Sequence, residues 1–314
     1  MRLTLIMMGA LVAACAAPPP RAADLADRER LDRQLVQGSN FTHVVYRRRG
    51  ALPRGPLHVY LEGDGSPWVG RSRVAIDPTA RNPVALRMML QDPASSIYLG
   101  RPCYEGQAFD PRCSPQLWTS GRYSPEVVGS MAAALRHVLD ETPNDGVVFI
   151  GYSGGGTLAM LLAERFLPTR AVITVAGNLD TAGWVAWHRY SPLDGSLDPA
   201  TRAPLPATVA QLHLVGGRDK NVPTLLAKRV VSRQRCARVI IFENFDHVCC
   251  WDATWSRILH ELEAVLTRSD GWGTANSECI VPNSGALLRW NLERGKRSES
   301  RNPAAPNSMG SLEW

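Results

Sequence analysis

No apolar run in the 314-residue sequence reaches the roughly 20 residues that a membrane-spanning helix needs. Tandem repeats, heptads and a glycine at every third position are also missing, so solenoid, coiled-coil and collagen architectures have no support. The phosphate-cradling patterns GxGxxG and GxxxxGK[ST] do not occur, which leaves nucleotide folds without a signature. No CxxC pair is present, so a zinc site fits poorly, and no metal or other cofactor is implied. Charge of one sign is not concentrated either: 35 Lys+Arg and 29 Asp+Glu, formally +6, are scattered along the chain. That balance implies only a weak preference for anionic surfaces and no nucleic-acid binding. What remains is a globular chain, 45% hydrophobic and 20% charged, long enough for one large domain or two small ones.

One segment suggests a membrane. Arg2 is followed by the apolar run Leu3 to Ala14 and then Cys15, the pattern of a secretory signal rather than of a spanning or amphipathic helix, since no polar face interrupts it. Leu11-Val12-Ala13-Ala14-Cys15 resembles a bacterial lipobox. The resemblance implies that residues 1–14 are removed and that Cys15 is acylated, tethering an exported chain to a membrane surface. With no Asp just after Cys15, the resemblance also implies the periplasmic side of the outer membrane or the cell envelope. Residues 15–40, with Pro18-Pro19-Pro20, then read as a linker. In an oxidising compartment the six other cysteines are disulfide candidates. Cys103 and Cys113 flank a loop rich in Gly, Asp and Pro and predict a local bridge; Cys236 could pair with Cys249 or Cys250, and Cys279 completes the even count.

From about Phe41 short apolar runs alternate with helical stretches, as in an open, mostly parallel α/β sheet. Strands are predicted at 57–61, 96–99, 147–150, 171–175, 211–215 and 239–242, each continuously apolar as buried parallel strands are. Helices are predicted from Ser124-Pro125, from Gly156 to Phe166 and from about Trp251 to Leu266. Residues 177–206, with Trp184, Trp187, His188 and Tyr190, are long for a connection and read as a lid or binding loop. Residues 269–314, with a weak helical hint at 286–292, read as a loosely held tail.

Chemistry concentrates at Gly151-Tyr152-Ser153-Gly154-Gly155, which lies between an apolar strand and a helix. A strand-to-helix turn that sharp needs residues without side chains two positions before and after the serine, and it leaves the serine oxygen exposed at the sheet edge. A serine hydroxyl needs a base, normally a histidine oriented by a carboxylate. His247 follows the strand at 239–242 and so falls at the same edge. His58 and His213 lie in strands, and His137 and His260 in helices, where packing explains them better. Asp219, at the end of the strand at 211–215, is preferred as the carboxylate over Asp246, whose side chain neighbours His247 in sequence and rarely would face it.

The order Ser153, Asp219, His247 on successive strand ends resembles the α/β-hydrolase family over about 57–266. The resemblance implies an α/β-hydrolase domain at 41–268, an acyl-enzyme at Ser153, and an oxyanion hole that combines the Gly154 N–H with one donor from Gly63, Asp64 or Gly65. Glu62 departs from the family's common His-Gly pattern. Tyr152, Trp184, Trp187 and His188 are candidates for contact with a small-molecule or lipid-like ester. Two alternatives are a peptidase of the same fold and a non-catalytic envelope lipoprotein that uses the fold as a binding platform.

Overall fold

A computed structural model describes residues 21–50, 55–70, 72–267, 287–291 and 296–300. In chain order it begins with α1 (Ala22–Arg28), β1 (Asp32–Gln37), β2 (Thr42–Arg47), β3 (Leu57–Leu61), a small hairpin of β4 (Trp68–Val69) and β5 (Arg73–Val74), and α2 (Val84–Met89). It continues through β6 (Ser96–Leu99), α3 (Pro125–Glu141), β7 (Val147–Tyr152), α4 (Gly154–Ala163), β8 (Thr169–Val175) and α5 (Thr181–His188). The last elements are β9 (Ala210–Gly216), α6 (Thr224–Val231), β10 (Ala237–Phe242), α7 (Trp251–Thr267), β11 (Leu287–Asn291) and β12 (Lys296–Ser300).

Apart from the hairpin, the strands form one sheet in the order β1-β2-β6-β3-β7-β8-β9-β10-β11-β12. From β6 to β11 every neighbouring pair is parallel, and the antiparallel pairs lie at the two margins. The apolar runs become strands because both faces of the sheet are covered. Strand β7 sends Val147 and Phe149 into one core and Val148, Ile150 and Tyr152 into the other. Helices α3, α4 and α6 close the first core with Val128, Leu158 and Val230; α1, α2 and α7 close the second with Leu25, Met88 and Trp255. Each fully buried aliphatic side chain contributes about 1.5–3 kcal/mol. Ser124 caps α3 by accepting the Val127 N–H at 3.2 Å, with Pro125 at the first helical position.

The domain starts earlier than the sequence suggests. Residues 22–37 are not linker: they form α1, which buries Ala22, Leu25 and Ala26, and β1, which pairs with β2 along its whole length. The edge position explains the difference, since only Val36 of β1 is buried and the strand has little apolar signal. Helices α2 and α6 and strand β2 are likewise additions to the elements that the sequence pattern predicts. Where a helical hint stands at 286–292, Leu287–Asn291 is instead a strand parallel to β10. Cys15 and Cys279 lie outside the described residues. Among the described residues no helix is long and apolar enough to cross a membrane.

Cys103 and Cys113 are bonded to each other, with Cα atoms 5.7 Å apart. Cys249 and Cys250 pair together, so neither takes Cys236, which is itself disulfide-bonded. A bridge that closes a loop of this size removes freedom from the unfolded chain. Replacing Cys103 and Cys113 with Ala is therefore expected to destabilise the protein by about 2–3 kcal/mol. Thermal melts of the variant and the oxidised wild type check this, and an unchanged melting temperature would mean that the bridge contributes nothing.

Candidate active site

The C-terminal ends of β3, β7, β8, β9 and β10 share one edge of the sheet, and the loops that leave them surround a cavity of about 1180 Å³. At the end of β7 the chain turns into α4 through Ser153, whose backbone has φ 52° and ψ −120°. Such a conformation costs a non-glycine residue on the order of 1–3 kcal/mol. Its peptide is held on both sides: the Ser153 N–H donates to Val175 O at 2.9 Å, and its carbonyl accepts from Gly156 N at 2.9 Å and Asn178 N at 3.1 Å. The flanking glycines are required by space. A Cβ on Gly151 would lie 2.1 Å from the Gly155 carbonyl oxygen, and one on Gly155 would lie 2.1 Å from that of Leu61.

Three side chains from three strand ends meet here. The Ser153 hydroxyl donates to His247 Nε2 at 3.0 Å, and His247 Nδ1 donates to Asp219 Oδ2 at 2.8 Å. Asp219 is fixed from behind, because its Oδ1 accepts the N–H groups of Asn221 and Val222, each at 2.8 Å. Tyr152 anchors the histidine loop, its hydroxyl donating to His247 O at 3.0 Å. The rival Asp246 turns to its own loop, where Oδ1 accepts from Val248 N and Cys249 N; those two amides hold its carboxyl below the usual range. His58 is bound to Asp92 at 2.7 Å and His213 to Thr174 at 2.9 Å, both inside the cores.

The loop after β3 lies against the serine: a Cβ on Gly63 would sit 3.3 Å from Ser153 Cβ. The Gly63 N–H is already taken by Glu62 Oε1 at 3.0 Å, while Glu62 Oε2 accepts from Ala85 N at 3.0 Å. Burial raises the Glu62 pKa to about 7 against the pull of these two amides. Gly65, at φ +67°, packs against the Pro78 carbonyl and also lines the cavity. The Asp64 N–H has no acceptor among the described residues, and the Gly154 N–H, at the first position of α4, is one of those a helix leaves without an internal partner.

Of the four residues predicted to contact a substrate, Tyr152 and Trp184 line the cavity, whereas Trp187 and His188 do not. Helix α5 turns one face inward: His188 Nε2 is tied to Asn221 O at 2.7 Å, and Trp187 is 60% exposed to solvent. Asn178, Arg122 and Asn221, none of them among the residues predicted from the sequence, also line the cavity. They are single polar residues in loops with no motif around them, and only Asn178, just past the end of a predicted strand, has a positional signal.

No protein-family model matches the sequence, and no curated protein matches it. Solved structures do. A puromycin-hydrolyzing peptidase from Mycobacterium tuberculosis aligns with a TM-score of 0.53 at 15% identity, over 80% of this chain and 41% of that one. A putative α/β hydrolase from Agrobacterium tumefaciens aligns at 0.50 and 14% over 76% and 95%, and 2,6-dihydroxy-pseudo-oxynicotine hydrolase at 0.51 and 14% over 79% and 71%. The chain spans about two fifths of the length of the puromycin hydrolases it matches. These likenesses establish the α/β-hydrolase fold: a mostly parallel sheet with helices on both faces.

Asp64 makes one pH dependence predictable. Burial alone would raise its carboxyl, but Arg122, Arg101 and the Tyr123 hydroxyl outweigh it and hold the pKa at about 2, below the ordinary 3.8. Ionised Asp64 therefore stabilises the fold above about pH 4, and that contribution is lost as pH falls from about 4 to about 2. Melting temperatures between pH 6 and pH 2 are expected to fall less steeply over that interval in Asp64→Asn than in wild type; parallel curves would contradict it.

Proposed function

We propose that the protein is a serine hydrolase that cleaves carboxylic esters through an acyl-enzyme. The observation that carries this is the unbroken Ser153–His247–Asp219 hydrogen-bonded line at a strained strand-to-helix turn, open to a large cavity. His247 takes the proton as Ser153 Oγ attacks the carbonyl carbon, and Asp219 holds the ring in the tautomer that leaves Nε2 free to accept it. The tetrahedral intermediate collapses, its leaving alcohol takes the proton back from His247, and water then enters by the same route to release the acid. The Gly154 N–H, at the N-terminus of α4, and the Asp64 N–H receive the developing negative oxygen. Gly63 is set aside as a donor because its amide is spent on Glu62. Trp184 and Tyr190, with ring centroids 5.2 Å apart, and Leu193 form an apolar wall that suits an aromatic or aliphatic group on one side of the ester.

In this reading Ser153→Ala and His247→Ala each lower turnover of short nitrophenyl esters by at least about 1000-fold, and a fluorophosphonate probe labels wild type at Ser153 alone. Wild-type turnover in both variants would end the ester-hydrolase reading. Absence of labelling in folded, oxidised protein would favour the binding platform, and faster cleavage of matched amides would favour the peptidase.

We also propose that the chain is exported and anchored through Cys15. The anchor would stand seven residues before Ala22 of α1, at most about 25 Å of extended chain, which would keep the domain close to the membrane. Cys15→Ser should move the protein from the membrane fraction to the soluble fraction of a bacterial host; unchanged fractionation would exclude the anchor.

A further inference from the structure

Asp64 is engaged on every side but one. Its carboxylate accepts from Arg101 Nη2 at 2.8 Å, from Arg122 Nη1 at 2.9 Å and from the Tyr123 hydroxyl at 2.7 and 2.8 Å. Its carbonyl accepts from the Tyr104 hydroxyl at 3.1 Å. Its N–H has no acceptor among the described residues. One connection, between β6 and α3, supplies all four partners: Arg101 and Tyr104 near its start and Arg122 and Tyr123 near its end.

This carboxylate lies where a negative charge would do harm. A Cβ on Gly154 would sit 2.1 Å from Asp64 Oδ1, so the carboxylate packs directly against the backbone of the other oxyanion donor. Unneutralised, it would oppose the charge that develops on the substrate oxygen. Two guanidinium groups against one carboxylate reverse the sign and leave the cluster with one net positive charge. Arg101 is buried, and its Nε and Nη1 have no acceptor among the described residues. The ring faces of Tyr104 and Tyr123, 5.6 and 5.4 Å from its guanidinium carbon, offset part of that cost.

We propose that Arg101, Tyr104, Arg122 and Tyr123 are positioning residues that clamp Asp64 so that its main-chain N–H is presented to the oxyanion, while the two arginines turn the local field positive. The inference rests on the serine-hydrolase reading and adds to it a source for the second donor's geometry and field. A cluster that only braced the loops would hold the fold together without acting selectively on the transition state.

The test is steady-state kinetics on a soluble nitrophenyl ester, with folding checked by near-UV circular dichroism. Arg122→Met is expected to lower kcat about 10- to 100-fold, less than the full loss of a donor, with KM changed less than about threefold. Arg122→Lys, which keeps the charge, should retain most of kcat. In the Asp64→Asn/Arg122→Met double variant the bare carboxylate is gone, so kcat should recover at least about fivefold over Arg122→Met alone. If the Met variant does not fold, Arg122→Gln reads the same contrast with a neutral side chain that still donates a hydrogen bond. A folded, charge-free Arg122 variant with wild-type kcat, or a double variant whose losses simply multiply, would overturn the clamp. Ser153→Ala in the same assay separates the two claims: an inactive Ser153→Ala beside an unaffected Arg122→Met sinks the clamp alone, whereas an active Ser153→Ala sinks the reading beneath it.

Discussion

The turn at Ser153 is the constraint on which the rest of the site depends. A parallel strand buried on both faces must hand over at once to a helix that packs on the same sheet, and the approach is so close that α4 begins against the carbonyl of Leu61 in β3. Only glycine at 151 and 155 permits this. The strain at Ser153 persists because neighbouring strands and loops hold its N–H and carbonyl. One consequence is that the loop after β3 is pressed against the serine, so the oxyanion candidates and the hydroxyl are brought together by packing rather than by any sequence proximity.

Three carboxylates lie within this small region, and each is stabilised differently. Asp219 accepts two main-chain amides and the imidazole N–H of His247. Glu62 accepts two amides but meets no cation at hydrogen-bond distance among the described residues, and burial raises its pKa to about 7. Asp64 faces two arginines and a tyrosine and is driven the other way. Between Glu62 and Asp64 the surroundings, not the residue type, thus set the direction in which each carboxyl is driven.

The supporting loops are tied down independently of the sheet. Cys103 closes a bridge to Cys113 between Arg101 and the start of α3, so the segment that carries Arg101 and Tyr104 is braced covalently. On the far side of the cavity, Trp184 Nε1 and His188 Nε2 both bind Asn221 O, linking the segment at 181–190 to the loop that holds Asp219. The cavity wall and the histidine's carboxylate therefore rest on one another.

Much of this architecture is legible in the chain itself. Continuous apolar runs mark all the central strands, Ser124-Pro125 marks the start of α3, and a glycine-flanked serine between strand and helix marks the turn. These features are local: burial on two faces, capping and steric need all leave their trace within a few residues. Strand β1 leaves none, because an edge strand buries only Val36 and alternates too weakly to be seen. The exclusive pairing of Cys249 with Cys250, the outward turn of Trp187, and the choice between Asp219 and Asp246 depend on where side chains point. The amino-acid order by itself thus determined the fold class and the residue types able to do the chemistry. Tertiary structure alone decided that Glu62 reaches the Ala85 amide and that Arg101 and Arg122 converge on Asp64, because those contacts join residues between 23 and 58 positions apart and arise only once the loops at one sheet edge are packed together.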